Sequence, residues 1–204
     1  MSATKTPEQR VSMVFYYLRL STRNDNINDH TPSSNQALRV AQRAKNEGAD
    51  DETIVAALLQ DIGHFCPPPE EWSDNPGKTQ ASYQLYDAAA NYTSVDYGRL
   101  GADYLRMLRF SNKTCELVES RTLAKRYLMS VDFSYLNYLK KVSRLSLTFH
   151  GKQLSTDEMN EFEKDPLFHQ KVQLRKWDST VEASGDKPPS FETYFDMAVR
   201  IMPI

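Results

Sequence analysis

DDETIVAALLQDIGHF, residues 50–65, is the stretch on which the fold is decided. Acidic residues open it, and Asp50 or Asp51 is a natural helix N-cap. Ile54, Val55, Ala56, Ala57, Leu58 and Leu59 follow, apolar on nearly every side. A helix of that kind, predicted over 52–62, belongs in a protein core. Yet it carries Gln60 and Asp61, with His64 three residues on. If the helical path continues through Gly63, all three point into one region. A buried Asp61 needs a cation, a metal or several donors.

Outward from this stretch the chain reads as helices. Gly48 closes a preceding helix predicted over 35–47, with Ala37, Leu38, Val40, Ala41 and Ala44 as its apolar face. Residues 1–8 read as a loose leader, 11–20 as a short amphipathic helix and 21–34 as a polar, turn-rich segment. The loop 66–79 holds four prolines. Helices are predicted at 80–90, 95–109, 114–128 and about 133–140. Ser155 can cap another, and Asp165-Pro166 opens one that reaches Lys176 or Trp177. After a linker at 184–190, a last helix spans 191–202. No alternating strand pattern and no internal repeat stands out. The expectation is an all-α, compact single domain over 9–204.

Composition narrows the function. The 25 Lys and Arg against 27 Asp and Glu leave a net charge of -2, with no basic run to steer a nucleic acid. No run approaches a membrane span, the start of the chain lacks the apolar segment of a secretory signal, and Cys66 and Cys115 make no disulfide framework. A cytoplasmic protein without nucleic-acid or membrane partners is expected. The histidines His30, His64, His150 and His169 form neither HxxxH nor HExxH, and no nucleophile elbow or glycine-rich phosphate loop is present. No cofactor is called for.

Two further clusters matter. In RTLAKRYL, 121–128, Arg121 and Lys125 lie one turn apart on a largely apolar helix. Side by side they repel, and together they attract a carboxylate or phosphate. In QLRKWDS, 173–179, Asp178 sits near a helix C-terminus, where the dipole does not favour it, and a partner such as Arg121 would explain it. Trp177 is read as a core residue. A solvated basic face and a capped carboxylate beside a satisfied histidine are the plain alternatives.

The segments QALRVAQRAKNEGADDETIVAALLQDIGHF, YGRLGADYL, LAKRYLMSVDFSYL and FEKDPLFHQKVQLRKWD, with PPSFETYF, keep order and spacing over about residues 34–195. On them the chain resembles the HD-domain superfamily, in particular the small oxygenases that cleave hydroxylated aminophosphonates with two irons. The resemblance implies an all-helical fold. It also implies that the family's four ligand histidines fall at Gln36, Gln60, Tyr97 and Arg121, while its carboxylates remain as Asp61 and Asp178. Arg121 between those two carboxylates would satisfy their desolvated charge. The family's grip on the anionic end of its substrate falls at His64, Lys125, Ser143, Ser146 and Arg175.

Three functions follow as expectations. The first is a metal-independent isomerase, lyase or cyclase acting on a small carboxylate- or phosphate-bearing molecule. There Lys125, Ser143, Ser146 and Arg175 bind the acid, His64 exchanges protons near neutrality, Tyr97 donates, Asp61 and Arg121 orient, and Gln36, Gln60 and Asp178 complete a structural network. The second is a non-catalytic protein binding a small anion or a partner. The third is a divergent metal-dependent oxygenase or phosphohydrolase, in which Gln36, Gln60, Tyr97, Asp61 and Asp178 hold a hard ion such as Mg²⁺, against the fixed charge of Arg121. A homodimer is one open arrangement.

Overall fold

A computed structural model describes residues 5–21, 34–67, 84–87, 92–132, 134–135, 153–180 and 188–203. Nine α-helices are found among them: α1 (Pro7–Ser21), α2 (Ser34–Asn46), α3 (Asp51–Leu59), α4 (Tyr97–Met107), α5 (Asn112–Glu119), α6 (Arg121–Val131), α7 (Thr156–Glu163), α8 (Phe168–Thr180) and α9 (Glu192–Arg200). The fold is an all-helical bundle of the HD-domain kind. One short hairpin is added to it, β1 (Gln84–Asp87) paired antiparallel with β2 (Tyr92–Val95), with Gln84 opposite Val95 and Asp87 opposite Tyr92.

α3 is the centre, packed by α2, α5, α8 and α9. Its apolar circumference explains this: every residue from Thr53 to Leu59 is buried, so no face is left for water. Asp50 is the N-cap, its carboxylate accepting from the Thr53 N–H at 3.1 Å. Gly48 ends the preceding helix at φ 79°, the left-handed conformation that a side chain resists. At the far ends of the chain, α1 and α9 close on each other through Phe15, which meets Phe191 and Phe195 at ring-centroid distances of 5.8 and 5.7 Å.

A second apolar cluster joins α6, α7 and α8 through Leu128, Tyr127, Phe162 and Val172. α8 serves both clusters, since Leu174 and Trp177 belong to the main core. Ser155 starts α7 with a full capping box against Glu158.

Several expectations need correction. The helix predicted at 80–90 is replaced by β1. QLYD and YTSV are short and rich in aromatic and β-branched residues, which suit an extended chain better than a helix. The single helix predicted over 114–128 is two. Ser111 starts α5 earlier by accepting from the Thr114 N–H, and Ser120 divides the run by donating its hydroxyl back to the Leu117 carbonyl at 2.8 Å. α1 begins at Pro7, so the last two residues of the expected leader are helical. α3 stops at Leu59, and the path continues as a tighter 3₁₀ turn, Ile62–His64. Most of the predicted 133–140 helix, the 184–187 part of the linker, and Ser143 and Ser146 lie outside the described residues.

Candidate functional site

The 3₁₀ turn is what aims Asp61 and His64. It can pass close to α4 because Gly63 has no side chain. A Cβ there would overlap the Tyr97 carbonyl oxygen and lie 2.9 Å from the Gly101 backbone nitrogen. Gly101 is under the same constraint, its own Cβ position lying 2.9 Å from the Gly63 nitrogen. This close crossing brings α4 against the 3₁₀ turn that follows α3, and with it Tyr97 against His64. Their rings stack at a centroid distance of 3.8 Å and an angle of 22°.

Asp61 is only 1% exposed, and Asp178 on α8 is also buried. Arg121 reaches both. One guanidinium nitrogen is ion-paired with Asp61, and another stands 3.7 Å from Asp178. Arg121 is the first residue of α6, directly after Ser120. Asp178 collects more donors. The side-chain amides of Gln36 and Gln60 donate to one carboxylate oxygen at 2.8 and 3.1 Å, while Arg175 pairs with the other from one turn earlier on α8. Arg175 is held from behind, its Nε donating to the Tyr135 hydroxyl at 2.8 Å. Ser179 donates to the Arg175 carbonyl at 2.5 Å.

Lys125 is buried on α6, one turn after Arg121. The cluster therefore joins Gln36, Gln60, Asp61, Arg121, Lys125, Arg175 and Asp178, while His64 and Tyr97 form the adjoining stacked pair. Tyr135 and Ser179 were missed by sequence reasoning. No spacing rule links Tyr135 to an arginine 40 positions away; the quoted DFSYL run was the nearest signal.

The charges respond to this packing. Burial pushes the Lys125 amine down to about 7, and Arg175 and Arg121 add to the effect against Asp178. Burial opposes charge on Asp178, yet Arg175, Arg121, Gln36 and Gln60 outweigh it and hold the carboxyl below the usual range. Burial likewise pulls Arg121 down, though its guanidinium stays charged at any ordinary pH. His64 is pushed down to about 4 by burial, so at neutrality it is an uncharged ring and not the near-neutral proton exchanger expected of it. Burial raises the Tyr97 phenol, which stays protonated.

Two surface cavities, of about 550 and 370 Å³, lie along α8 and meet at Trp177. Neither is lined by Asp61, Arg121 or Lys125, and the chemistry is concentrated at the charged cluster. Arg121, with 23% of its side chain exposed, is the cluster's edge toward solvent.

The resemblance implies two irons at Asp61 and Asp178. The donors present do not fit them. A guanidinium occupies the space between the carboxylates, both carboxylates are engaged by arginines, and the two amides turn N–H groups, not lone pairs, toward Asp178. Among the described residues no group of three or more His, Cys, Asp or Glu side chains is placed to hold a metal ion. Nor, among them, is any helix long and apolar enough to cross a membrane.

No family model matches the chain. It is 30% identical over 197 residues to hydroxymethylphosphonate dioxygenase of Gimesia maris, covering 95% of this chain and 89% of that protein. It is 28% identical over 165 residues to the glycine-betaine-forming (1-hydroxy-2-(trimethylamino)ethyl)phosphonate dioxygenase of Leisingera caerulea, covering 81% of this chain and 76% of that one. An uncharacterised protein of Acanthamoeba polyphaga mimivirus is 28% identical over 186 residues, 87% of this chain and 75% of its own length.

Proposed function

Because this chain belongs to the HD-domain family of the phosphonate dioxygenases it matches, we propose that it is a metal-independent member acting on a small phosphonate-, phosphate- or carboxylate-bearing molecule by proton transfer. The single observation that carries this reading is Arg121, ion-paired with Asp61 and close to Asp178 inside a buried cluster that also holds Lys125 and Arg175. A fixed cation stands where the family's chemistry would need a metal, while the cations suited to an acidic substrate remain.

In this account the positions of the lost ligands are Gln36, Gln60, Tyr97 and Arg121. Lys125 and Arg175 hold the acidic end of the substrate, and Ser143 and Ser146, outside the described residues, are assigned to the same task from the resemblance alone. Tyr97, kept protonated by burial, donates a hydrogen bond to the reacting group, and neutral His64 accepts one. Lys125, near neutrality, is the group that gains and loses a proton, in place of His64. Asp61 and Arg121 orient and polarise, favouring negative charge as it develops on an enolate-like intermediate. Isomerisation, elimination and cyclisation all fit this set.

Proton exchange tests it. Chelator-treated protein in D₂O is incubated with a panel of small phosphonates, phosphates and carboxylic acids, and loss of carbon-bound protons is followed by NMR. Exchange that survives chelation and disappears in Lys125→Ala is expected. No exchange with any compound that binds would overturn catalysis and leave the second reading, a binding protein. That reading draws support from Asp61 and Asp178, both of which are consumed by internal partners.

A further inference from the structure

Arg175 is tied at two of its three guanidinium nitrogens. Nε donates to the Tyr135 hydroxyl at 2.8 Å, and Nη1 pairs with Asp178. The third, Nη2, makes no hydrogen bond among the described residues. Arg175 and Tyr135 are 5% and 4% exposed, so water does not replace a bond lost between them. The Tyr135 hydroxyl also stands 3.4 Å from that of Ser179. Ser179 lies one turn after Arg175 on α8 and donates back to the Arg175 carbonyl at 2.5 Å. Each hydroxyl has one hydrogen. Ser179 gives its own to the carbonyl, so the contact between the two hydroxyls is filled by the hydrogen of Tyr135. The groups close a ring, running from Arg175 Nε–H to the Tyr135 oxygen, from Tyr135 O–H to the Ser179 oxygen, and from Ser179 O–H to the Arg175 carbonyl.

We propose that Tyr135 and Ser179 are positioning residues, which fix the orientation of the Arg175 guanidinium so that Nη2 is the donor turned to the bound anion. This rests on the anion-binding reading above and adds to it which atom makes the grip and what aims it. A guanidinium is planar, and anchoring two of its nitrogens fixes both its plane and its rotation within that plane. Asp178 alone does not do this, because a carboxylate accepts from several directions. The Tyr135 oxygen supplies the second anchor. Ser179 holds that oxygen in place by drawing the phenol hydrogen to its own side, which leaves a lone pair of Tyr135 facing Nε. In a closed ring each hydroxyl accepts and donates at once, so the bonds strengthen one another.

The ring also decides how an anion can meet Arg175. Tyr135 occupies Nε and Asp178 occupies Nη1, so the anion meets one nitrogen instead of the two-point clasp that an unrestrained guanidinium offers. How firmly that nitrogen is aimed then sets the strength of the contact. Tyr135 and Ser179 line the 370 Å³ cavity along α8, which leaves space beside the ring for one added methyl group.

Sulfate titration calorimetry on the whole chain is the test, read beside the arginine Nε–H region of the ¹⁵N NMR spectrum. The unmodified chain should bind sulfate and show one Nε–H resonance protected from solvent exchange, which Arg175→Lys removes and so assigns. Tyr135→Phe should lose that protection and bind sulfate about tenfold more weakly. Ser179→Ala, which keeps the phenol, should weaken binding about threefold. Ser179→Thr restores the hydroxyl, its methyl group entering the cavity, and should bind as the unmodified chain does. A purely structural role would lower the urea midpoint of Tyr135→Phe and Ser179→Ala and leave their sulfate affinity unchanged; that result would overturn the positioning role while leaving the anion site intact. Ser179→Thr binding as weakly as Ser179→Ala would overturn the ring, since the hydroxyl would then not be what matters. Absence of sulfate binding by the unmodified chain would overturn the anion site and the positioning role together.

Discussion

Replacing Arg121 by methionine keeps much of the side-chain volume and removes the guanidinium. Asp178 would still have Arg175, Gln36 and Gln60. Asp61 would not be so served. It is 1% exposed, and apart from Arg121 its oxygens meet no hydrogen-bond donor among the described residues. The loss should therefore fall on one stranded carboxylate. Breaking a buried pair costs about 3–5 kcal/mol, and the 23% exposure of Arg121 places this case toward the lower end, about 3 kcal/mol. With a urea slope of about 2–3 kcal/mol/M, the unfolding midpoint should drop by roughly 1–2 M. Urea denaturation followed by circular dichroism measures it. Asp61→Asn added to Arg121→Met should recover more than half of the loss, since an amide needs no counter-charge. An unchanged midpoint in the single variant, or a double variant no more stable than the single, would refute the assignment of the cost to Asp61.

Other perturbations separate the remaining parts of the account. Gly63→Ala drives a methyl group into the Tyr97 carbonyl and the Gly101 nitrogen, both backbone, so no side chain can yield; a loss of about 3 kcal/mol or failure to fold is expected, and a wild-type melting temperature would refute the close crossing. Tyr135→Phe leaves the buried Arg175 Nε without its acceptor and should cost about 1–3 kcal/mol in the same urea assay, together with weaker anion binding. Lys125 has its folded pKa, about 7, below its ordinary value, so the unfolded chain binds the extra proton between the two. Its contribution is complete above the unfolded pKa and is lost as pH falls through the folded one. Stability should thus rise from neutrality toward about pH 9 by up to ~1 kcal/mol per unit, and Lys125→Met should remove that rise. Asp178 has the same sign at a lower pH: its folded pKa lies below the ordinary carboxylate value, so stability present at neutrality is lost in acid as pH falls through that lowered value, a loss Asp178→Asn should lessen.

The central helix was legible because α3 has no polar face, and a helix with no polar face has only one place to go. The pairing of Arg121 with Asp61 was legible for a related reason. A carboxylate just past that helix had to find a cation, a metal or several donors, and it was the resemblance, by putting Arg121 at a ligand-histidine position, that named Arg121. The hairpin was not legible. Its strands are four residues each, too short for alternation to stand out from helical spacing. The division of α5 from α6 turned on one hydroxyl, that of Ser120, bending back to Leu117. Tyr135 behind Arg175 depends on tertiary packing that no local pattern encodes. The proton role proposed for Lys125 in place of His64 has the same origin. Ordinary pKa values favour the histidine, and only burial, with two arginines beside the lysine, reverses the choice.

The most direct test of the central claim is the metal content of the chain purified from iron-supplemented cells, measured together with a crystal structure of the same preparation. The account predicts iron far below one atom per chain, with the Arg121 guanidinium between Asp61 and Asp178. One or two irons per chain coordinated by those carboxylates, with Arg121 turned away, would contradict it.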